Sequence, residues 1–179
     1  MDFFESIIER NAQFAETNFL PDLKMLPSTG TIIVGCVDPR VDPVEVLGVK
    51  QGEAVVIRNV GGRVNRPLME TIAILRVVAK AAGREGGVRN LVLLHHTDCG
   101  IIPCYHHAPE LLAKSFEVDV AGLDALEILD PYKSVLRDVA TLRADEHLPD
   151  GLVSVGVVYD VKTGRLATVV PPAPLRGAN

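Results

Sequence analysis

Four short apolar runs set the strongest limit on how this chain can fold: Thr31-Ile32-Ile33-Val34-Gly35, Ala54-Val55-Val56-Ile57, Leu91-Val92-Leu93-Leu94 and Leu152 to Tyr159. None alternates cleanly between polar and apolar residues, as a strand with one wet face would. Continuously apolar strands of this length belong to parallel sheets covered on both faces. Between the second and third runs, Asn65-Arg66-Pro67 opens a helix expected to reach about Ala82, with Leu68, Ile72, Leu75, Ala79 and Ala82 on one side and Gly83 as its stop. Asp130-Pro131 is an N-cap and first-turn pair for a helix to about His147. Leu148-Pro149-Asp150-Gly151 then turns the chain into the fourth run, and Thr163-Gly164 returns Arg165–Val170 antiparallel along the sheet edge. The expected class is α/β: a mostly parallel central sheet flanked by helices, with an N-terminal helix and an antiparallel edge strand. Residues 101–130, interrupted by Pro103 and Pro109, read as irregular, and 171–179 as an extended tail.

At 179 residues the chain suits a single domain over 1–179. With no Trp and 4% aromatic residues, its core must be built from Val, Ile, Leu and Ala. A net charge of −5 without a basic block argues against nucleic-acid binding. No apolar run reaches membrane-spanning length. Met1-Asp2-Phe3-Phe4-Glu5 carries acids where a signal peptide carries positive charge, so a cytoplasmic location is expected. Residues 1–20 form an arm whose helix carries Phe3, Ile7, Phe14 and Phe19 as an apolar stripe. Such a helix must dock on its own domain or on a partner, and both readings stand.

Chemistry concentrates in two clusters, each directly after an apolar run: Cys36-Val37-Asp38-Pro39-Arg40, and His96-Thr97-Asp98-Cys99-Gly100 about sixty residues later. Open α/β sheets gather ligand sites at the carboxyl ends of parallel strands, so the two can converge. Three cysteines, an odd number, suit ligands better than a disulfide frame. Two thiols and one imidazole suit Zn²⁺ and leave a fourth position open to water. A rival set, His96, Cys99, Cys104 and His106 or His107, would close a local four-ligand knuckle, and His95 competes with His96 as the ligand. His147 reads as an ordinary residue at a helix C-terminus. Asp38 and Arg40 can form a bidentate pair that holds the carboxylate ionised near the metal; alternatively Asp38 is itself a ligand, or the pair only braces a turn. Arg58-Asn59-Val60-Gly61-Gly62 lacks the G-x-G-x-x-G dinucleotide pattern, and its paired glycines are expected to pack on the metal loop. Asp98 is a candidate brace for that loop.

These residues make the chain similar to the β-class carbonic anhydrases, whose pattern is C-x-D-x-R, then R-N-x-G, then H-x-x-C-G. Here the three read Cys36/Asp38/Arg40, Arg58-Asn59-Val60-Gly61 and His96/Cys99/Gly100, in that order. The resemblance runs from the N-terminal helix to the last strand. It implies Zn²⁺ on Cys36, His96 and Cys99, with Asp38 orienting the nucleophile and Arg40 holding Asp38. The implied reaction is the reversible hydration of CO₂ to bicarbonate and a proton. It further implies a homodimer or an assembly of dimers, with the N-terminal helices crossing to the partner. Hydrolases of carbonyl sulfide and carbon disulfide share the fold and ligands and are the enzymatic alternative. A zinc-stabilised relative that binds or senses without turnover is the alternative of another class. The chain departs from the family pattern at Pro39, where small residues are usual, at Val60 (more often Ala) and at His95 (more often Gly). Pro39 is expected to bear on the Asp38–Arg40 pair. His95, His106 and His107 are candidates for moving the product proton.

Overall fold

The apolar runs form β1 (Thr31–Cys36), β2 (Ala54–Asn59), β3 (Asn90–His96) and β4 (Val153–Asp160), and β5 (Arg165–Pro174) follows the Thr163-Gly164 turn. These come from a computed structural model that describes residues 2–83, 87–149 and 151–176. Met1, Asp150 of the expected turn and residues 177–179 of the expected tail lie outside the described residues. The strand order is β2-β1-β3-β4-β5, parallel except for β5, which pairs antiparallel with β4. Thr31 aligns with Ala54 on one side and Asn90 on the other. β5 continues past Val170 to Pro174, which stands opposite Val153. Pro171 and Pro172 fall where β5 slips register against β4, between the Gly156–Val170 and Ser154–Ala173 pairs, and bulges and edge strands are where a sheet tolerates proline.

Among the described residues α1 (Phe3–Thr17) precedes the sheet, and α2 (Pro43–Leu47), α3 (Arg66–Ala81), α4 (Ile101–His107), α5 (Pro109–Phe116) and α6 (Pro131–Ala144) lie between the strands. α3 starts where Asn65 caps Leu68 N–H, and α6 where Asp130 accepts from Tyr132 and Lys133 N–H. Leu68 and Ile72 of α3 and Val135, Val139 and Leu142 of α6 pack with Ile32, Val34, Leu91 and Leu93 on one sheet face. The opposite face is covered more thinly. Val41, Leu94 and Val157 are buried there, with Val46 and Leu47 of α2 only partly so, and every β2 residue keeps some exposure. The expectation of two fully covered faces therefore holds for one of them.

One further difference from the sequence reading has a clear cause. Residues 101–130 contain α4, α5 and a 3₁₀ segment (Ala121–Leu126). Pro103 sits in the first turn of α4 and Pro109 at the start of α5, where a helix has no intrahelical use for the missing N–H. α1 is capped at Asp2 by a box with Glu5, yet none of its residues is buried, and Phe3, Phe4, Ile7 and Ile8 stand in solvent. It does not fold back on its own sheet.

Candidate metal centre

The strand order places the two clusters together. After β1 the chain goes to the β2 flank, and after β3 to the β4 flank, so the carboxyl ends of β1 and β3 open the crevice where the order reverses. Cys36 ends β1 and His96 ends β3, while Cys99 follows three residues on, before α4. One ligand atom from each of Cys36, His96 and Cys99 lies within 4.8 Å of the others, and all three residues are buried. The two sulfurs are 3.7 Å apart. His96 Nδ1 hydrogen-bonds to Thr97 O at 2.9 Å, which turns Nε2 toward the sulfurs. Among the described residues Nε2, which is buried, has no hydrogen-bond partner. A buried imidazole nitrogen left unpaired beside two thiols is costly unless a metal takes it, and its other nitrogen is fixed as metal-binding imidazoles usually are.

Electrostatics favour the same use. The hydrogen bond shared with Cys99, with help from His96 and the backbone N–H groups of Asp38 and Gly61, lowers the Cys36 pKa against the cost of burial. Cys99 is correspondingly raised, first by that shared hydrogen bond and then by burial. The pair holds one thiolate readily, and a cation between the sulfurs would favour the second. Among the described residues, Cys104, His106 and His107 form no part of this group. Cys104 is half-buried against the apolar cluster that includes Ile101 and Leu112, and His106 and His107 are exposed, so the structure does not bring the local four-ligand set together.

Asp38 stands at the rim, its Oδ2 4.0 Å from His96 Nε2. Val41 N–H donates to Asp38 O, closing a turn with Pro39 in its second position, where the fixed φ of proline is suited. Pro39 thus shapes the turn that brings Arg40 back over Asp38. Arg40 Nε donates to Asp38 Oδ1 at 3.0 Å and Nη2 to Oδ2 at 2.7 Å, and Arg40 N–H also reaches Oδ1. The guanidinium holds the Asp38 carboxyl near a pKa of about 2, so it is ionised at neutral pH. Asp98 braces more than its own loop: its Oδ2 and backbone O accept from Arg40 Nη1 and Nη2, each at 2.8 Å.

Several supporting residues carry more than the sequence reading assigned them. Arg58 donates from Nε to Cys36 O, from Nη2 to Asp38 O and from Nη1 to Asp42 Oδ2, which ties the whole Cys36–Asp42 segment to β2. Gly62, at φ +65°, packs so closely that a Cβ there would meet Leu94 O at 3.0 Å and Cys36 N at 3.1 Å. The paired glycines do pack on the metal loop. His95 points to the other sheet face, with Nδ1 2.7 Å from Ser134 Oγ and Nε2 3.3 Å from Asp138 Oδ2. Asp138 also accepts from Arg63 Nε and Nη2 and from Val64 N–H, forming a fully buried ion pair. Ser134 and Asp138, four apart on an otherwise apolar helix face, were the available sign of this network. His147 lies beyond α6, exposed and 3.1 Å from Asp145 Oδ1.

Residues 31–120 match the family model described as carbonic anhydrase. The chain is 33% identical over 175 residues to β-carbonic anhydrase 1 of Mycobacterium tuberculosis, covering 96% of this chain and 100% of that one. A carbon disulfide hydrolase of Acidianus is 24% identical over 193 residues, covering 92% and 88% of the two chains. In three dimensions the chain superposes on a crystal structure of carbonic anhydrase from Streptococcus mutans with a TM-score of 0.72 and 31% identity, over 94% of this chain and 98% of that one. One-third identity across almost the whole length, on a shared fold with the Cys–His–Cys cluster at the crevice, places the chain in the β-class carbonic anhydrase family.

Proposed function

We propose that this protein catalyses the reversible hydration of CO₂ to bicarbonate and a proton, with Cys36, His96 and Cys99 holding Zn²⁺. The observation that carries the reading is the buried Cys36–His96–Cys99 cluster, with His96 Nε2 unpartnered among the described residues, beside an Asp38 carboxylate clamped by Arg40. Zinc bound there supplies a Lewis acid that brings the pKa of water near 7, so that hydroxide is available at cellular pH. The protein's own groups do the rest. Asp38, kept ionised by Arg40, accepts a hydrogen bond from the attacking hydroxide and aims its lone pair at the substrate carbon. Arg58 holds the ligand and Asp38 in one rigid segment. Exposed His106 and His107 are the groups we assign to passing the product proton to buffer.

The unit of function we propose is a homodimer or an assembly of dimers, cytoplasmic in location. Supporting the assembly are helix α1, whose apolar side is uncovered, and a second sheet face that is only thinly covered. Residues 1–179 are read as one domain. Among the described residues no helix is long and apolar enough to cross a membrane. Stopped-flow CO₂ hydration, run beside sulfide release from carbonyl sulfide and carbon disulfide, tests the reading. Rapid hydration with slow sulfide release supports it. The reverse order makes the protein a hydrolase, and a zinc-loaded protein inactive in all three assays makes it a binding or sensing relative.

A further inference from the structure

Asp98 sits between two of the candidate ligands with φ +55°, one of three described non-glycine residues in the left-handed region. Asp tolerates that conformation better than most residues but still pays for it in strain. Its effect here is to turn both the Asp98 carboxylate and the Asp98 carbonyl toward Arg40. The guanidinium thereby lies between two carboxylates: Nε and Nη2 on Asp38, Nη1 and Nη2 on Asp98. Arg40 is 48% exposed, and an exposed Arg–Asp pair standing alone is weak and conformationally loose. Asp98 itself stands on a fixed platform, since Thr97 N–H donates to Tyr159 O and Thr97 Oγ1 accepts from Val161 N–H.

Resting on the zinc reading above, we propose that Asp98 is a positioning residue: it latches Arg40, and through Arg40 it keeps the Asp38 carboxylate out of the metal's fourth position. Asp38 Oδ2 already stands 4.0 Å from His96 Nε2, so a modest turn of its side chain would bring it into the ligand set. Arg40 opposes that turn, and its hold depends on being anchored from its far edge. Without the Asp98 carboxylate, Arg40 keeps only the Asp98 carbonyl there.

The test uses Asp98→Gly, which keeps the carbonyl and suits positive φ, and Asp98→Asn, which keeps an acceptor but loses the charge. Each is prepared as full-length, zinc-loaded protein and as the Co²⁺-substituted form. Two quantities are read: the affinity of azide for the cobalt protein by its absorption spectrum, and the rate of zinc release to a chelator. For Asp98→Gly the azide affinity should fall about tenfold or more, the equivalent of one charge-assisted hydrogen bond. Zinc release should slow, because a fourth protein ligand is recruited. Adding Asp38→Ala should restore azide binding in the double variant, which a merely structural role for Asp98 would not produce. Asp98→Asn should fall between parent and Asp98→Gly, and it carries the test if the glycine variant does not fold. Unchanged azide affinity and zinc release in a loaded Asp98 variant would overturn the latch while leaving the zinc reading intact. A parent protein that takes up no metal would instead defeat the zinc reading, and the latch with it.

Discussion

Replacing Asp138 with Asn measures how far the buried network beneath the metal strand supports the fold. Asp138 accepts from Arg63 Nε at 2.8 Å, Arg63 Nη2 at 2.9 Å and Val64 N–H at 2.9 Å, and His95 Nε2 stands 3.3 Å away. Asparagine keeps the shape but removes the charge, leaving Arg63 a buried cation with 2% side-chain exposure. Removing one partner of a buried pair costs about 3–5 kcal/mol, a large part of the roughly 5–15 kcal/mol that holds a domain folded. At about 2–4 °C per kcal/mol for a chain of this size, the melting temperature should fall by roughly 6–20 °C. Urea and thermal unfolding followed by circular dichroism, at fixed protein and zinc concentration, give the number. The double variant Arg63→Met/Asp138→Leu should recover at least half of the loss, since no unpaired charge remains. pH supplies a further check. Burial disfavours the Asp138 carboxylate, but hydrogen bonds from His95 and Arg63 outweigh it and leave its pKa below the ordinary value of 3.8. A lowered folded-state pKa means the pair's contribution is full above 3.8 and is lost as pH falls through the folded value. The gap between parent and variant should therefore close in acid. A variant that melts within about 2 °C of the parent, or a double variant less stable than Asp138→Asn, would refute the reasoning.

Three other outcomes are expected. Cys36→Ser, His96→Ala or Cys99→Ser should each lose zinc by elemental analysis while Cys104→Ser keeps it; the opposite result would locate the ion on α4. Asp38→Ala should retain zinc yet hydrate CO₂ about 10²- to 10⁴-fold more slowly, the usual range for a lost proton-handling group, with Arg40→Ala moving in the same direction; near-normal rates in both would reduce the pair to a structural brace. Deleting residues 1–20 should yield aggregated or monomeric protein with reduced activity by light scattering and stopped-flow assay, whereas a stable, fully active monomer would remove any role for the arm between subunits.

The strands were legible because Ile32 to Val34 and Leu91 to Leu94 are apolar without interruption, a pattern only a doubly covered strand requires. The candidate ligands were legible because strand ends delivered Cys36 and His96 to one place once the sheet was parallel. What escaped was tertiary. Arg63 and Asp138 are 75 residues apart, and nothing local pairs them. Arg40 reaching Asp98 likewise depends on the loops after β1 and β3 facing each other. The helices α4 and α5 were hidden by Pro103 and Pro109, which look like breakers until their first-turn positions are known. The arm's periodicity correctly marked a helix, but what a free apolar stripe docks against is not written in its own residues.

The short gap between Cys36 and Cys99 also bears on how the protein meets oxidants. Two sulfurs 3.7 Å apart, one of them easily a thiolate, are set for attack on each other once an oxidant activates either. A disulfide draws its sulfurs to about 2.05 Å, consuming two of the three candidate ligands in one bond. Metal loading and oxidation thus exclude each other, and stripped protein handled without reductant would drift into a form that added zinc alone does not reactivate.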